Sequence, residues 1–187
     1  LITSTSCLKK MDKTTIMKKA AKIKLAVFDV DGVLTDGKLI LGESGDEYKS
    51  FHVRDGHGLI MLLEIGCKVA VITARSSNIV AERMKSLGIK YVFQNEKDKG
   101  VRLLKLIKKL NLEQEQVAYI GDDVIDLPAM INVGLPIAVA DAQVEVKNNA
   151  VWVTENKGGL GAAREVCELI MRAQNKYDDR IRRYLAS

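Results

Sequence analysis

The sequence has few cysteines, prolines and aromatic residues, and it has no long apolar run. Its three cysteines, Cys7, Cys67 and Cys167, lie far apart and form no CxxC pair, which argues against a zinc site or a disulfide framework. No stretch of about eighteen apolar residues occurs, so the sequence predicts no transmembrane helix. Residues 1–20 contain lysines but lack the apolar centre of a secretory signal. We therefore expect a cytoplasmic protein.

Acidic residues are scarce at both ends of the chain, and the net charge is +5. Residues 1–24 hold seven lysines and one aspartate, whereas residues 172–187 hold four arginines and one lysine against two aspartates. The stretch between them is net acidic. A basic excess confined to the ends does not make a nucleic-acid-binding face, so we expect no nucleic-acid partner and no membrane partner. We interpret the N-terminal lysines as a solvated extension. The alternative is a membrane-surface helix that uses Ile16, Met17, Ala20 and Ile23.

Short apolar segments alternate with segments of helical period from residue 24 onwards. This alternation predicts an α/β fold, a Rossmann-like doubly wound parallel sheet with helices on both faces. Several strand candidates are apolar throughout, as strands buried on both faces are; the candidates are 25–28, 68–72, 91–93, 117–120, 136–139 and 150–153. The helix candidates are 56–65, 77–87, 98–110, 124–132 and 160–173.

One stretch, residues 38–51, breaks the alternation. It consists of two short strand-like segments around a Gly-Glu-Ser-Gly-Asp turn, which predicts a β-hairpin inserted after the first strand. The stretch is too short for a separate cap domain. A chain of this length is most simply one domain. We expect that domain at 23–173, with an N-terminal extension over 1–22 and a C-terminal tail over 174–187.

Polar residues that suit phosphoryl transfer follow four of the predicted strands. Because the carboxyl ends of parallel strands meet at one sheet edge, we expect these side chains to lie together. They are Asp29 and Asp31 after 25–28, Thr73 and Arg75 after 68–72, Lys99 at the helix start after 91–93, and Asp122, Asp123 and Asp126 after 117–120.

This set of residues can perform each part of a phosphate transfer. Clustered carboxylates suit Mg²⁺, which would relieve the repulsion around Asp29 and neutralise phosphate charge. One carboxylate can attack phosphorus, and a second, two residues on, can protonate the leaving oxygen and later activate water. The hydroxyl of Thr73 and the ammonium of Lys99 can hold the transferring oxygens. Lys97, in the same "EKDKG" stretch, is an alternative to Lys99.

The four motifs resemble those of the haloacid dehalogenase-like phosphohydrolases. DxDGV with a following Thr, then VITAR, a lysine and GDDxxD occur in that family's order between residues 29 and 126. The resemblance implies that Asp29 is the nucleophile and Asp31 the general acid/base. It also implies a Mg²⁺ site with three oxygen donors, from Asp29, Asp122 and the backbone carbonyl of Asp31. Either Asp123 or Asp126 would support the waters of the metal or orient Lys99.

Two longer stretches narrow the resemblance to the capless sugar-acid phosphatases. They are "TDGKLILGESGDEYKSFHVRDGHGL" and "GGLGAAREVCELI", within roughly residues 23–175. The resemblance implies a phosphorylated eight-carbon sugar acid as substrate, in lipopolysaccharide precursor synthesis, with a nine-carbon sugar acid as the alternative. It also implies a homotetramer in which hairpins and C-terminal tails of neighbours close the site. Ala74 departs from the family's frequent Gly, and Leu160 and Ile60 stand where some members have basic residues.

A sugar acid needs a basic partner for its carboxylate, and a planar guanidinium can pair with one through two hydrogen bonds. Arg75, directly after the Thr73 strand end, is the first candidate. Arg54 and His57, in "HVRDGHG", are the next, and Arg83 lies two helical turns beyond Arg75.

Two other classes of protein remain open at this point. A phospho-receiver domain also combines a parallel sheet, an acidic magnesium pocket, a Thr and a Lys. Its phosphorylated Asp ends the middle strand, whereas the third strand here is followed by Gln94 and Asn95. The extra acid of the DxD pair favours turnover over a lasting phosphorylated state. A non-catalytic scaffold is the third class, and the intact acidic set argues against it.

Overall fold

A parallel sheet lies at the centre of residues 12–186, the part of the chain that the computed structural model describes. The strands, in chain order, are β1 (Leu25–Phe28), β2 (Ile40–Leu41), β3 (Glu47–Tyr48), β4 (Lys68–Ile72), β5 (Tyr91–Phe93), β6 (Val117–Gly121), β7 (Leu135–Ala138) and β8 (Trp152–Val153). Six of them form the parallel sheet in the order β5-β4-β1-β6-β7-β8, and β2 pairs antiparallel with β3. The expected doubly wound sheet with an inserted hairpin is confirmed.

Helices cover the sheet on both faces. They are α1 (Lys13–Ala21), α2 (Val53–Glu64), α3 (Asn78–Ser86), α4 (Lys99–Lys109), α5 (Leu127–Met130), α6 (Val144–Asn148), α7 (Ala162–Ala173) and α8 (Tyr177–Leu185). Short 3₁₀ turns lie at Gln114–Gln116 and Val124–Asp126. The helix predicted over 124–132 is therefore a 3₁₀ turn followed by the short α5. None of the helices described between residues 12 and 186 combines the length and the apolar character needed to cross a membrane.

The two central strands place the site. Every residue of β1 and of β6 is buried, as strands covered on both faces require. Phe28, the last residue of β1, lies beside Ile120 of β6 and Val71 of β4. The carboxyl ends of the three strands are thus in register, and the residues that follow them meet at one edge. β5, the third strand of the parallel sheet in chain order, lies on the opposite side of β4 from β1 and is an edge strand, not the middle one.

The part of the lysine-rich N-terminal segment that the structure describes forms a helix, whereas the sequence predicted a solvated extension. Asp12 caps α1 by accepting a hydrogen bond from the Thr15 N–H at 3.0 Å. Ile16 and Ala20 are buried, and α1 packs on α7. Lys13 and Lys18 are exposed, as the interpretation of solvated lysines predicts, but residues 13–21 form a helix packed on the domain and not an extension. The membrane-surface alternative is wrong because Ile16, Ala20 and Ile23 are already buried. Cys67 and Cys167 are buried and unbridged; Cys7 and the rest of 1–11 lie outside the described residues.

The C-terminal tail also forms a helix that packs on the domain. Arg180 of α8 is only 8% exposed and forms an ion pair with Glu64 of α2. Its guanidinium lies 5.3 Å from the ring centroid of Tyr184 and donates a 3.0 Å hydrogen bond to the hydroxyl of that residue. The same hydroxyl lies 3.0 Å from Nε2 of His57. One face of α8 therefore contacts α2 through an ion pair and a hydrogen bond.

Candidate active site

Asp29 and Lys99 form the centre of the site. Asp29 directly follows β1 and is 3% exposed, and the Lys99 Nζ lies 2.9 Å from its Oδ1. Lys99 opens α4, which Asp98 caps by accepting a 2.9 Å hydrogen bond from the Val101 N–H. Lys97 is exposed, whereas Lys99 is 1% exposed. The structure thus brings Lys99, and not Lys97, to Asp29.

Asp126 holds Lys99 in place. Its buried carboxylate accepts hydrogen bonds from the Lys99 Nζ at 2.7 Å and from the Tyr119 hydroxyl at 2.8 Å, both on Oδ1. Its Oδ2 accepts the backbone N–H groups of Asp122 at 3.0 Å and Asp123 at 3.3 Å. Asp123 caps the 3₁₀ turn instead, by accepting the Val124 N–H at 2.7 Å. Of the two aspartates left open by the sequence, Asp126 is the one that contacts Lys99.

Three carboxylates converge where a cation would bind. One oxygen from each of Asp29, Asp122 and Asp126 lies within 4.8 Å of the others. Both oxygens of Asp126 already accept hydrogen bonds, but Oδ1 of Asp122 is buried and finds no hydrogen-bond donor among residues 12–186. A buried carboxylate oxygen without a donor is costly unless a cation compensates it. The donor set, made of oxygens alone, fits a divalent cation such as Mg²⁺.

Burial and mutual repulsion explain the proton affinities in this cluster. Burial, and after it the Asp126 carboxylate, raises the pKa of Asp29 to about 7, although Lys99 acts to lower it. The pKa of Asp122 is raised to about 8, first by burial and then by Asp29 and Asp126. Burial lowers the pKa of Lys99, but the two neighbouring carboxylates outweigh it and the net pKa lies above its ordinary value. One ammonium therefore leaves the cluster with uncompensated negative charge, which a divalent cation would offset.

Asp31 contacts Lys49 of the hairpin region, and Lys49 in turn pairs with Glu47; the sequence did not point to either residue. Lys49, just after β3, forms an ion pair with Asp31 Oδ1, and its side chain is 1% exposed. The Lys49 Nζ also lies 2.9 Å from Glu47 Oε1. Residues two apart on an extended strand share a face, so the spacing of Glu47 and Lys49 was the available signal. The spacing does not indicate that this face of the strand is directed towards Asp31.

Two threonines form hydrogen bonds with the backbone of loops at this edge of the sheet. Thr73 is 3% exposed at the end of β4, and its Oγ1 accepts the Arg75 N–H at 3.4 Å. Thr35, the threonine of the first motif, donates to the Val30 carbonyl at 3.3 Å and accepts the Gly37 N–H at 3.2 Å. Thr35 therefore holds the loop after β1 closed, whereas the Thr73 hydroxyl lies at the sheet edge with Asp29.

Two glycines permit a backbone approach that any side chain would block. Gly32 has φ = +95°, and a Cβ there would lie 2.1 Å from Asp122 Oδ2. A Cβ on Gly158 would lie 1.7 Å from the Gly32 carbonyl oxygen. The loop after β1 is thus packed between the GDD segment and the glycine-rich segment before α7.

The basic residues proposed for the substrate separate into two groups. Arg75 lies at the site: its Nε is 3.8 Å from Asp31 Oδ2, and its Nη2 is 2.8 Å from Glu47 Oε2. Arg83 lies 6.0 Å from the Phe51 ring centroid, Arg54 is exposed near the start of α2, and His57 contacts Tyr184. The structure brings Arg75 to the Asp31 carboxylate. A substrate role for Arg54, His57 and Arg83 stays a prediction.

Comparison with known proteins identifies relatives over most of the chain. The haloacid dehalogenase-like hydrolase family matches residues 91–165. The 3-deoxy-D-manno-octulosonate 8-phosphate phosphatase of Yersinia pestis is 46% identical over 163 residues, which is 87% of each chain. The corresponding protein of Salmonella typhi is 45% identical over 166 residues, 89% of this chain and 88% of the relative.

Two solved structures resemble the fold and carry ions. A 3-deoxy-D-manno-octulosonate 8-phosphate phosphatase from Moraxella catarrhalis, in complex with a magnesium ion, a phosphate ion and a KDO molecule, superposes with a TM-score of 0.91. It is 43% identical and covers 92% of this chain and 99% of its own. A cobalt-bound phosphatase from Haemophilus influenzae has a TM-score of 0.82 and 45% identity, over 85% of this chain and 93% of its own.

Proposed function

Because the chain belongs to the haloacid dehalogenase-like hydrolase family and is a phosphatase, we propose that it hydrolyses 3-deoxy-D-manno-octulosonate 8-phosphate to the free sugar acid and phosphate. The observation that carries the proposal is the arrangement after β1. Asp29 contacts the buried Lys99, and Asp31, two residues on, lies beside Arg75. The relatives are named as 3-deoxy-D-manno-octulosonate 8-phosphate phosphatases, and the Moraxella catarrhalis structure contains phosphate and KDO; both support the choice of sugar.

In the first step, a carboxylate oxygen of Asp29 attacks the phosphorus of the substrate. A bond forms between that oxygen and phosphorus as the bond from phosphorus to the sugar oxygen breaks, with its electron pair passing to the sugar oxygen. Asp31, protonated, donates its proton to that oxygen, so the sugar leaves as a neutral alcohol. Lys99 and Thr73 hold the phosphoryl oxygens and offset their charge.

In the second step, water releases the phosphate from Asp29. Asp31, now a carboxylate, takes a proton from the water as its oxygen bonds to phosphorus and the Asp29–phosphorus bond breaks. Inorganic phosphate leaves, Asp29 is again a carboxylate, and Asp31 again carries its proton. The spacing of two residues allows one aspartate to attack while its neighbour moves the proton.

Mg²⁺ is the cofactor we assign to the site. Asp29, Asp122 and the backbone carbonyl of Asp31 would hold it, and when bound it supplies positive charge that screens the phosphate from the carboxylates. The unpaired Oδ1 of Asp122 supports this assignment. The magnesium of the Moraxella catarrhalis relative also supports it.

The test measures phosphate release from 3-deoxy-D-manno-octulosonate 8-phosphate, with Mg²⁺ and with a chelator. We expect fast release with Mg²⁺, none with the chelator, and loss of activity in Asp29→Asn. Asp178→Asn, an exposed position on α8, is the matched control and should behave as the parent. If Asp29→Asn turns over as fast as the parent, the nucleophile is wrong. If the nine-carbon substrate 2-keto-3-deoxynononate 9-phosphate is hydrolysed faster, the alternative sugar replaces the first.

Arg75 is proposed to bind the carboxylate of the sugar acid. The Arg75 guanidinium already pairs with a carboxylate, Glu47, at 2.8 Å, and this geometry supports the proposal that it can also bind the carboxylate of a substrate. Charge-assisted hydrogen bonds are worth about 1.5–3 kcal/mol, so Arg75→Met should raise KM for the sugar-acid phosphate at least about tenfold. KM for glucose 6-phosphate, which has no carboxylate, should change much less. Equal changes for both substrates would remove Arg75 from carboxylate binding.

We further propose a homotetramer built through the hairpin. Its apolar residues face solvent in the single chain, with Leu39, Ile40, Leu41 and Tyr48 between 49% and 67% exposed. An exposed apolar cluster of this kind marks an interaction surface. Light scattering coupled to size-exclusion chromatography should give four chains for the parent and fewer for Leu41→Asp. A parent that elutes as one chain would contradict the proposal.

A further inference from the structure

We propose that Lys49 is a positioning residue that fixes the carboxyl group of Asp31 for proton transfer. The inference rests on the proposed function, because it assigns a role within the same reaction. Lys49 lies just after β3 and reaches the loop after β1 from the hairpin. It lies outside the four motifs that carry the phosphatase chemistry.

The burial of Lys49 requires charged partners. Only 1% of its side chain is exposed, and an ammonium removed from water is costly unless it is paired. Its partners are Oδ1 of Asp31 and Oε1 of Glu47, the latter at 2.9 Å. Lys38, on the same hairpin connection, has a side chain that is 78% exposed and pairs only with its neighbour Asp36 among the described residues. Of these two lysines, only Lys49 is buried, and it is buried against Asp31, the proposed acid/base residue.

The contacts around Asp31 divide its two oxygens between different tasks. Lys49 holds Oδ1, while Oδ2 is buried, lies 3.8 Å from Arg75 Nε and accepts no hydrogen bond from residues 12–186. One oxygen is thus anchored and the other is left to carry and transfer the proton. Glu47 contacts both Lys49, at 2.9 Å, and Arg75, at 2.8 Å, so Asp31, Lys49, Glu47 and Arg75 form a closed ring of four charged side chains.

The same arrangement holds Asp29. A buried lysine, Lys99, fixes one oxygen of that aspartate, and an acidic residue, Asp126, fixes the lysine. Lys49 and Glu47 repeat this relation for Asp31. Each of the two aspartates of the DxD pair therefore has its own buried lysine, one from α4 and one from the hairpin.

Proton donation by Asp31 matters most when the leaving oxygen is strongly basic. As the phosphorus–oxygen bond breaks, its electron pair passes to that oxygen, and an alkoxide needs the proton far more than a nitrophenoxide does. A misplaced Asp31 should therefore slow alkyl phosphates more than aryl phosphates. A general disturbance of the site should slow both alike.

The experiment compares kcat/KM for glycerol phosphate and p-nitrophenyl phosphate in the full-length protein with Mg²⁺. Lys49→Met should lower the value for the alkyl ester at least about tenfold more than that for the aryl ester. Lys49→Arg should recover part of the loss, and Lys38→Met, the exposed control, should match the parent with both esters. The use of glycerol phosphate separates this test from the sugar assignment, which can fail independently.

A crystal structure of Lys49→Met supplies a readout that needs no activity. We expect the Asp31 side chain to leave its position while Asp29, Thr73 and Lys99 stay in place. Equal losses for the two esters, no loss, or an Asp31 that keeps its position would overturn the proposal.

Discussion

At the scale of single residues, the site is organised by buried lysines that each bind a pair of carboxylates. Lys99 lies between Asp29 and Asp126, and Lys49 between Asp31 and Glu47. The sequence predicted Lys99 because it stands at a helix start after a strand. It could not predict Lys49, because only the packing of the hairpin against the loop after β1 brings that residue to Asp31.

Replacing Lys99 with Met should remove both charge balance and catalysis. Removing one partner of a buried ion pair costs about 3–5 kcal/mol, so the free energy of unfolding in urea should fall by a few kcal/mol at most, since the carboxylates can take up protons. Loss of a charge-stabilising donor typically lowers kcat about 10²–10³-fold. The exposed Lys97→Met is the control for both measurements. A Lys99→Met enzyme within a few fold of the parent would remove Lys99 from the chemistry.

At the scale of elements, the strands were predictable and the short helices were not. Each strand of the main sheet lies in an apolar segment, and every one of them except β7 is followed directly by a polar residue. α6 has five residues, too few to display a helical period. The predicted helix over 124–132 shortens because Asp126 turns inward and closes a 3₁₀ turn. α1 was visible as Ile16 and Ala20, four residues apart, but the sequence did not show that α7 covers them.

The C-terminal helix should depend on Arg180 for its attachment. Arg180→Met removes the ion pair with Glu64 and the hydrogen bond to Tyr184. We expect faster amide hydrogen exchange over residues 177–185, with exchange in β1 and β6 unchanged, because α8 opens without global unfolding. Arg182→Met is the matched control, since Arg182 is 71% exposed and pairs with Asp179 of the same helix. Equal exchange in the two variants would show that other contacts hold α8.

At the scale of the whole molecule, the site residues come from segments that are far apart in the chain, so the sequence alone does not show how their side chains contact one another. The strand order and register bring segments near residues 29, 73, 99 and 122 to one edge, and each segment was identified in advance. The role of Asp126, left open with Asp123, needed the buried contact with Lys99. The depth of burial of Asp29 and Asp122, which governs their proton affinity, is a property of the assembled sheet and helices.

The stability of the protein should depend on pH and Mg²⁺ together. Without metal, the folded pKa values of about 7 for Asp29 and about 8 for Asp122 lie above that of an ordinary aspartate. The folded state then binds more protons than the unfolded state, so this contribution is present at low pH and is lost as pH rises through about 8. Mg²⁺ binds the deprotonated carboxylates, so its stabilising effect should grow between about pH 6 and pH 8.

Thermal unfolding measured across this pH range, with Mg²⁺ and with a chelator, checks the expectation. The gap between the two curves should widen with pH in the parent. The gap should be smaller in Asp122→Asn and should depend less on pH, because an asparagine at position 122 has no carboxyl proton to lose. A gap that is independent of pH in the parent would mean that neither carboxyl group is protonated near neutrality.

The contact of Gly158 with the Gly32 carbonyl has a consequence for synthesis on the ribosome. The loop that carries Asp31 packs between segments near residues 122 and 158, so the earliest part of the site made is completed by one of the last. During translation, Asp29 and Asp31 are synthesised early, and more than half of the chain must follow before the segments that surround them have been made. A nascent chain that stops before the glycine-rich segment would carry the nucleophile without its finished pocket, and phosphatase activity should appear only after that segment has left the exit tunnel.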